Sequence, residues 1–140
     1  MPEKQIAPAG GADGYTDLTS KLPRRVDSFL ASTTITAKTV VALNTDGTVS
    51  PAATNNTASL CIGIADAGAS ANQFVPVVTY GVVEDVPATG SVAASDVLKR
   101  SVTTTGSVAA SATPAVGEAI GIAITASASN LAKVFVNLGR

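Results

Sequence analysis

Ile62–Gly81 reads IGIADAGASANQFVPVVTYG, and Ile120–Gly139 reads IGIAITASASNLAKVFVNLG. A shift of 58 residues lays Ile62, Gly63, Ile64 and Ala65 on Ile120, Gly121, Ile122 and Ala123, then Asn72 on Asn130, Val78 on Val136 and Gly81 on Gly139, without a gap. Two copies at so long a period indicate a duplicated supersecondary unit inside one domain, because a solenoid needs three or more stacked repeats. With one residue dropped the repeat extends upstream, placing Asp46-Gly47-Thr48-Val49 over Thr105-Gly106-Ser107-Val108, so that the duplication covers about 41–81 and 98–139.

Each unit reads as β structure. In Ser59–Ala65, Leu60, Ile62 and Ile64 fall on one face of a strand and Cys61, Gly63 and Ala65 on the other, a small-residue face suited to close packing. Thr33–Leu43 is β-branched and runs into Asn44-Thr45-Asp46-Gly47, where Asp-Gly is a strong hairpin signal. Gln73–Tyr80 is a strand that Pro76 assigns to an edge or a bulge, continued by Gly81–Val86 after a glycine kink. Further strands are expected at Asp96–Val102, Gly117–Thr125 and Leu131–Leu138. TGSVAAS also occurs at Thr89–Ser95 and Thr105–Ser111, which reads as recurrent turn sequence. The expected fold is mostly β: a small barrel or sandwich of two similar units over residues 33–140, with at most one short helix.

Residues 1–32 read as an extended arm, flexible when free, because the first sixteen carry few apolar anchors. Leu18, Leu22, Val26 and Leu30 are spaced like a helical stripe that Pro23 interrupts, so an arm with a short helical turn is expected. The arm's anchors Tyr15, Leu18, Leu22 and Phe29, with the basic pair Arg24 and Arg25, are the candidate partner-binding residues.

With 140 residues the chain has one domain's length, and its formal charge of −1 offers no basic footprint for nucleic acid. It contains no His and one Cys, which removes the commonest general base, most metal constellations and any intrachain disulfide. No cofactor and no enzymatic activity are expected. Without an apolar leader or an apolar run of about 18 residues, no membrane contact is expected, and the chain reads as soluble and not secreted. Glu84 and Asp85 are adjacent and so point to opposite faces of a strand; Asp46 and Asp66 read as turn residues; Cys61, with no His to activate it, reads as a small buried residue. Asn55-Asn56-Thr57 matches a glycosylation sequon that means little without a leader. The structural positions singled out are therefore Asp46, Gly47, Gly63, Gly81, Gly106, Gly121 and Gly139.

VVALNTDGTVS, SLCIGIADAGASANQFVPVVTYGVVE, DVLKRSVTTTGSV and GEAIGIAITASASNLAKVFVNL, read in order, resemble the capsid cement, or head decoration, proteins of tailed bacteriophages. Leu98, Lys99 and Arg100 stand where a Trp often follows the family's middle turn. The resemblance implies a homotrimeric β knob, made in the host cytoplasm, that binds the major capsid protein on the outer face of an expanded head and bridges coat subunits through its arm. An exposed adhesin or carbohydrate-binding β module is the alternative.

Overall fold

The computed structural model describes residues 24–54 and 60–138. Among the described residues nine strands make up the sheet: β1 Arg25–Leu30, β2 Val40–Leu43, β3 Val49–Pro51, β4 Leu60–Ala65, β5 Phe74–Pro87, β6 Val97–Arg100, β7 Val108–Ala110, β8 Ala119–Ala123 and β9 Leu131–Asn137. Their hydrogen-bonded order is β3-β2-β4-β5-β9-β8-β6-β7, all neighbours antiparallel, with β1 on β5. The mostly β expectation holds, and the described residues contain no helix.

That order is a palindrome, with β2-β3-β4 on one side of the β5–β9 pair and β6-β7-β8 on the other. The fourteen-residue β5 serves both units: its first half pairs with β1, and its second half pairs with β9. A single parallel bridge, Ala31 to Val49, brings the end of β1 against β3, and Ala88 to Val108 repeats that contact between the end of β5 and β7. Each unit is thus a five-stranded sheet curled until its first and last strands touch. The units run from Arg25 to about Tyr80 and from about Val82 to Asn137. Residues 25–30, which the sequence assigns to the arm, form the first strand of the first unit. Pro23 and the N-terminal part of the stripe lie outside the described residues.

Val41↔Gly63 and Ala42↔Cys61 are consecutive pairs, so Ile62 is an extra residue in a β-bulge; Leu98↔Gly121 and Lys99↔Ala119 leave Ile120 extra in the same way. The bulge corrects the expected alternation. Ile62 and Ala65 face one core, whereas Cys61 and Ile64 face the other. Glycine is required at both bulges: φ is 156° at Gly63 and 158° at Gly121, and a Cβ there would overlap the carbonyl oxygen of Val78 or Phe135.

Val78 and Phe135 are also structural counterparts, which corrects the gapless repeat. Ile64 pairs with Val78 while Ile122 pairs with Phe135, and Ala65 with Val77 while Ala123 pairs with Val134. The connection after β8 is one residue shorter than that after β4, so the offset falls from 58 to 57 in the last strand. The identities Asn72/Asn130 and Val78/Val136 are therefore not equivalent positions; Asn130 O accepts from Ala88 N as Gln73 O accepts from Ala31 N. Gly139 itself lies outside the described residues.

Thr33–Leu43 is a strand only from Val40. Before it the chain turns at Lys38 (φ 71°), and Ile35 exchanges two backbone hydrogen bonds with Ala69 (2.8 and 2.9 Å). The second unit repeats the turn at Ser95 (φ 74°). Ala31, Ile35, Val41, Val49, Ile62, Ala65, Val75 and Val77 fill the first unit. Ala88, Val92, Leu98, Val108, Ile120, Ala123, Ala132 and Val134 occupy the matching places in the second.

Candidate interaction surfaces

Beyond these interiors, each unit carries an outward row made by cross-strand neighbours. On the first unit the row is Val26–Val78–Ile64–Val40, across β1, β5, β4 and β2. On the second it is Val82–Phe135–Ile122–Val97, across β5, β9, β8 and β6. The two rows have opposite fates. Val40, Ile64 and Val78 are fully buried in one cluster with Val83 and Val136, whereas Val97 and Ile122 are each 42% exposed. Tyr80 stands edge-on to Phe135 at 5.2 Å and is itself half exposed. An apolar row on neighbouring strands is what an antiparallel sheet presents when that face meets protein.

The junction between the units is polar at its rim. Arg100 is only 2% exposed. Its Nη1 donates to Ala53 O (2.8 Å) and Thr54 O (3.4 Å) of the first unit, and its Nη2 pairs with Glu118 at 3.2 Å. Glu118 also accepts from Ala115 N, which fixes the loop before β8. Arg100 Nε has no partner among the described residues. The backbone adds Cys61 N to Gly117 O (2.9 Å), Val40 N to Gly106 O (2.8 Å) and Gly106 N to Ala52 O (3.0 Å). The sequence reading placed Arg100 on a strand without assigning it a role. The signal was present: where the first unit has Ala42 and Leu43, the second has Lys99 and Arg100.

Of the expected arm contacts, Tyr15, Leu18 and Leu22 lie outside the described residues. Arg24 makes a two-pronged pair with Asp66, 3.1 Å on each prong, so Asp66 serves a long-range contact within the chain in addition to its place in the turn after β4. Arg25 is exposed and donates to Asp27 at 2.9 Å. The Arg25 hydrogen bond and, after it, that of Thr79 hold the Asp27 carboxyl below the usual aspartate range. Phe29 packs on the core of the first unit.

Asp46 caps its turn, its Oδ1 accepting from Thr48 N (2.9 Å) and Thr48 Oγ1 (2.6 Å), and those bonds lower its pKa. Gly47, Gly81 and Gly106 take φ of 88°, 122° and 81°. Cys61 is buried. Glu84 and Asp85 are both exposed at the bulge where the β5–β9 register shifts between Val83 and Val86. With Lys133, Thr125 and Ser129 they rim an open depression of about 460 Å³. Among the described residues no three of His, Cys, Asp or Glu come together as a metal site would need.

No protein-family model matches the chain, and no curated protein matches it. Among solved structures it is similar to the head fiber gp8.5 N base of bacteriophage phi29, with a TM-score of 0.56 and 15% identity, over 83% of this chain and 96% of that one. At that identity the likeness is one of fold.

Proposed function

We propose that the chain is a structural virion protein that sits on the outer surface of an expanded bacteriophage head, binds the major capsid protein there and cements neighbouring coat subunits. The observation that carries this reading is the fold shared with the phi29 head fiber base, which extends over 96% of that base. The resemblance of its strand sequences to head decoration proteins supports the same role. A rigid duplicated β body suits it, since a ligand that binds only the assembled lattice stabilises that lattice by mass action. Assembly as a homotrimer would present three attachment points that release together only rarely. The alternative of an adhesive or carbohydrate-binding module needs several open aromatic faces in one groove; Tyr80 and Phe135 are turned onto each other, which leaves Phe74, 70% exposed at the start of β5, as the open ring.

Purified protein added to undecorated, expanded phage heads is expected to co-sediment with them and to raise the temperature at which they release DNA. A chain beginning at Arg24 tests the arm without removing β1, which a cut at residue 32 would destroy. Failure of the full chain to bind such shells would overturn the reading; equal binding by the shortened chain would overturn only the role of residues 1–23.

A further inference from the structure

The two units carry equivalent seats, and among the described residues only one is filled. On the first unit, Gly106 from the 101–107 turn lies against Thr39, Val40 and Ala52; it accepts from Val40 N and donates to Ala52 O, and a Cβ at 106 would come within 3.1 Å of Thr39. The strand pairings place Asp96, Val97 and Ser111 of the second unit where the first has Thr39, Val40 and Ala52. Indeed Ser111 N donates to Val97 O as Ala52 N donates to Val40 O, and Ala123 N donates to Asp96 O as Ala65 N donates to Thr39 O. At that place lies an open pocket of about 210 Å³, lined by Asp96, Val97, Ala110, Ser111 and Ala112. The half-exposed row through Val97 and Ile122 runs up to its edge, as the buried row through Val40 and Ile64 runs up to Gly106.

We propose that this pocket and row on the second unit receive the first unit of another copy of the chain. Its Asn44–Thr48 turn would enter the pocket as the 101–107 turn enters the filled seat. Gly47 holds in its turn the place that Gly106 holds in the other, with φ of 88° against 81°. The first unit also has an apolar residue left for the contact: Val26, 41% exposed, stands on β1 where half-buried Val82 stands on β5. The Asn44–Thr48 turn is two residues shorter than 101–107, so for Gly47 to reach the pocket the copies would have to approach more closely than the units of one chain do. The seat is on one unit and the inserted turn on the other, which makes the contact head-to-tail; copies joined this way close into a ring or extend as a filament. The inference concerns self-association and does not depend on attachment to a phage head.

The test uses the full chain in solution. Light scattering is expected to return a multiple of the 13.8 kDa chain mass. Ala110→Arg and, independently, Ile122→Glu, both at exposed positions, should lower that mass to 13.8 kDa while circular dichroism and the melting profile stay folded. As a second readout, a Thr45→Cys chain mixed with an Ala112→Cys chain should form a disulfide-linked heterodimer, and neither chain alone should do so. A monomer at every concentration, a multimer whose mass both variants leave unchanged, or equal cross-linking when Ala126→Cys replaces Ala112→Cys would each overturn the proposal. Loss or retention of binding to phage heads changes none of these outcomes, so the two readings fail separately.

Discussion

One glycine fixes the geometry of each unit, Gly63 in the first and Gly121 in the second, where a strand bulges against a neighbouring carbonyl. Gly63→Ala and Gly121→Ala are each expected to destabilise the chain by about 1–3 kcal/mol through overlap and backbone strain. The comparison is Gly90→Ala, where nothing lies within 4 Å of the added methyl and only the positive φ is penalised; denaturant midpoints measure all three, and equal losses at Gly63 and Gly90 would refute the steric account. Asp46 works through charge. Its folded carboxyl, held by Thr48, has a pKa below that of the unfolded chain. Its stabilisation is therefore complete above the unfolded value of about 3.9 and disappears as pH falls through the lower folded value. Asp46→Asn should accordingly flatten the decline in melting temperature between about pH 5 and pH 3, with Asp27 leaving a residual slope of the same sign.

β6 differs from its counterpart β2 by two charges, Lys99 and Arg100, and the second of them joins the units. Arg100 occupies the place of Leu43 yet reaches the carbonyls of Ala53 and Thr54 and the carboxylate of Glu118. Arg100→Ala, which removes the nearer of the two cations on Glu118 and leaves Lys99 at 3.9 Å, is expected to lose about 3 kcal/mol, the low end for a broken buried pair, whereas Arg100→Met with Glu118→Gln should recover most of it. Guanidinium unfolding of both variants decides; a loss below about 1 kcal/mol in the single variant would mean that the pair only rests on the surface. Element existence was legible in the sequence because the Ile-Gly-Ile repeats and the Asp-Gly turn are strong local signals. The phase of the strands was not. A bulge at Ile62 reverses which side chains share a core, and a connection shorter by one residue moves Val136 off Val78, although both Val identities survive a gapless alignment. β1 was hidden for another reason: Val26, Phe29 and Leu30 have no strand-like alternation that outweighs Pro23 and the four-residue spacing, and their pairing is with β5, some fifty residues away. Of the proposed surfaces, the arm's apolar spacing was visible, while the seat on the second unit depends on knowing which duplicate face is covered.

Duplication produces two similar bodies, but joining them makes their equivalent faces unequal. Val40 and Ile64 became core when the second unit covered them; Val97 and Ile122 kept the same strand positions and stayed at the surface. Identical chemistry at matched positions therefore measures what the junction contributes. Ile64→Ala should cost about 2–5 kcal/mol, the range for a truncated buried side chain. Ile122→Ala, at the equivalent site, should stay within about 0.5 kcal/mol when measured on protein dilute enough to be monomeric. Val40→Ala and Val97→Ala form a second matched pair with the same ordering and smaller absolute losses. Equal losses within either pair would mean that the outward rows are alike in burial, contrary to the docking of the second unit on the first. If the losses differ as expected and the gap narrows as concentration rises, the narrowing reports burial of Ile122 and Val97 by another copy, since association stabilises the folded chain by mass action only where the contacted side chain is intact.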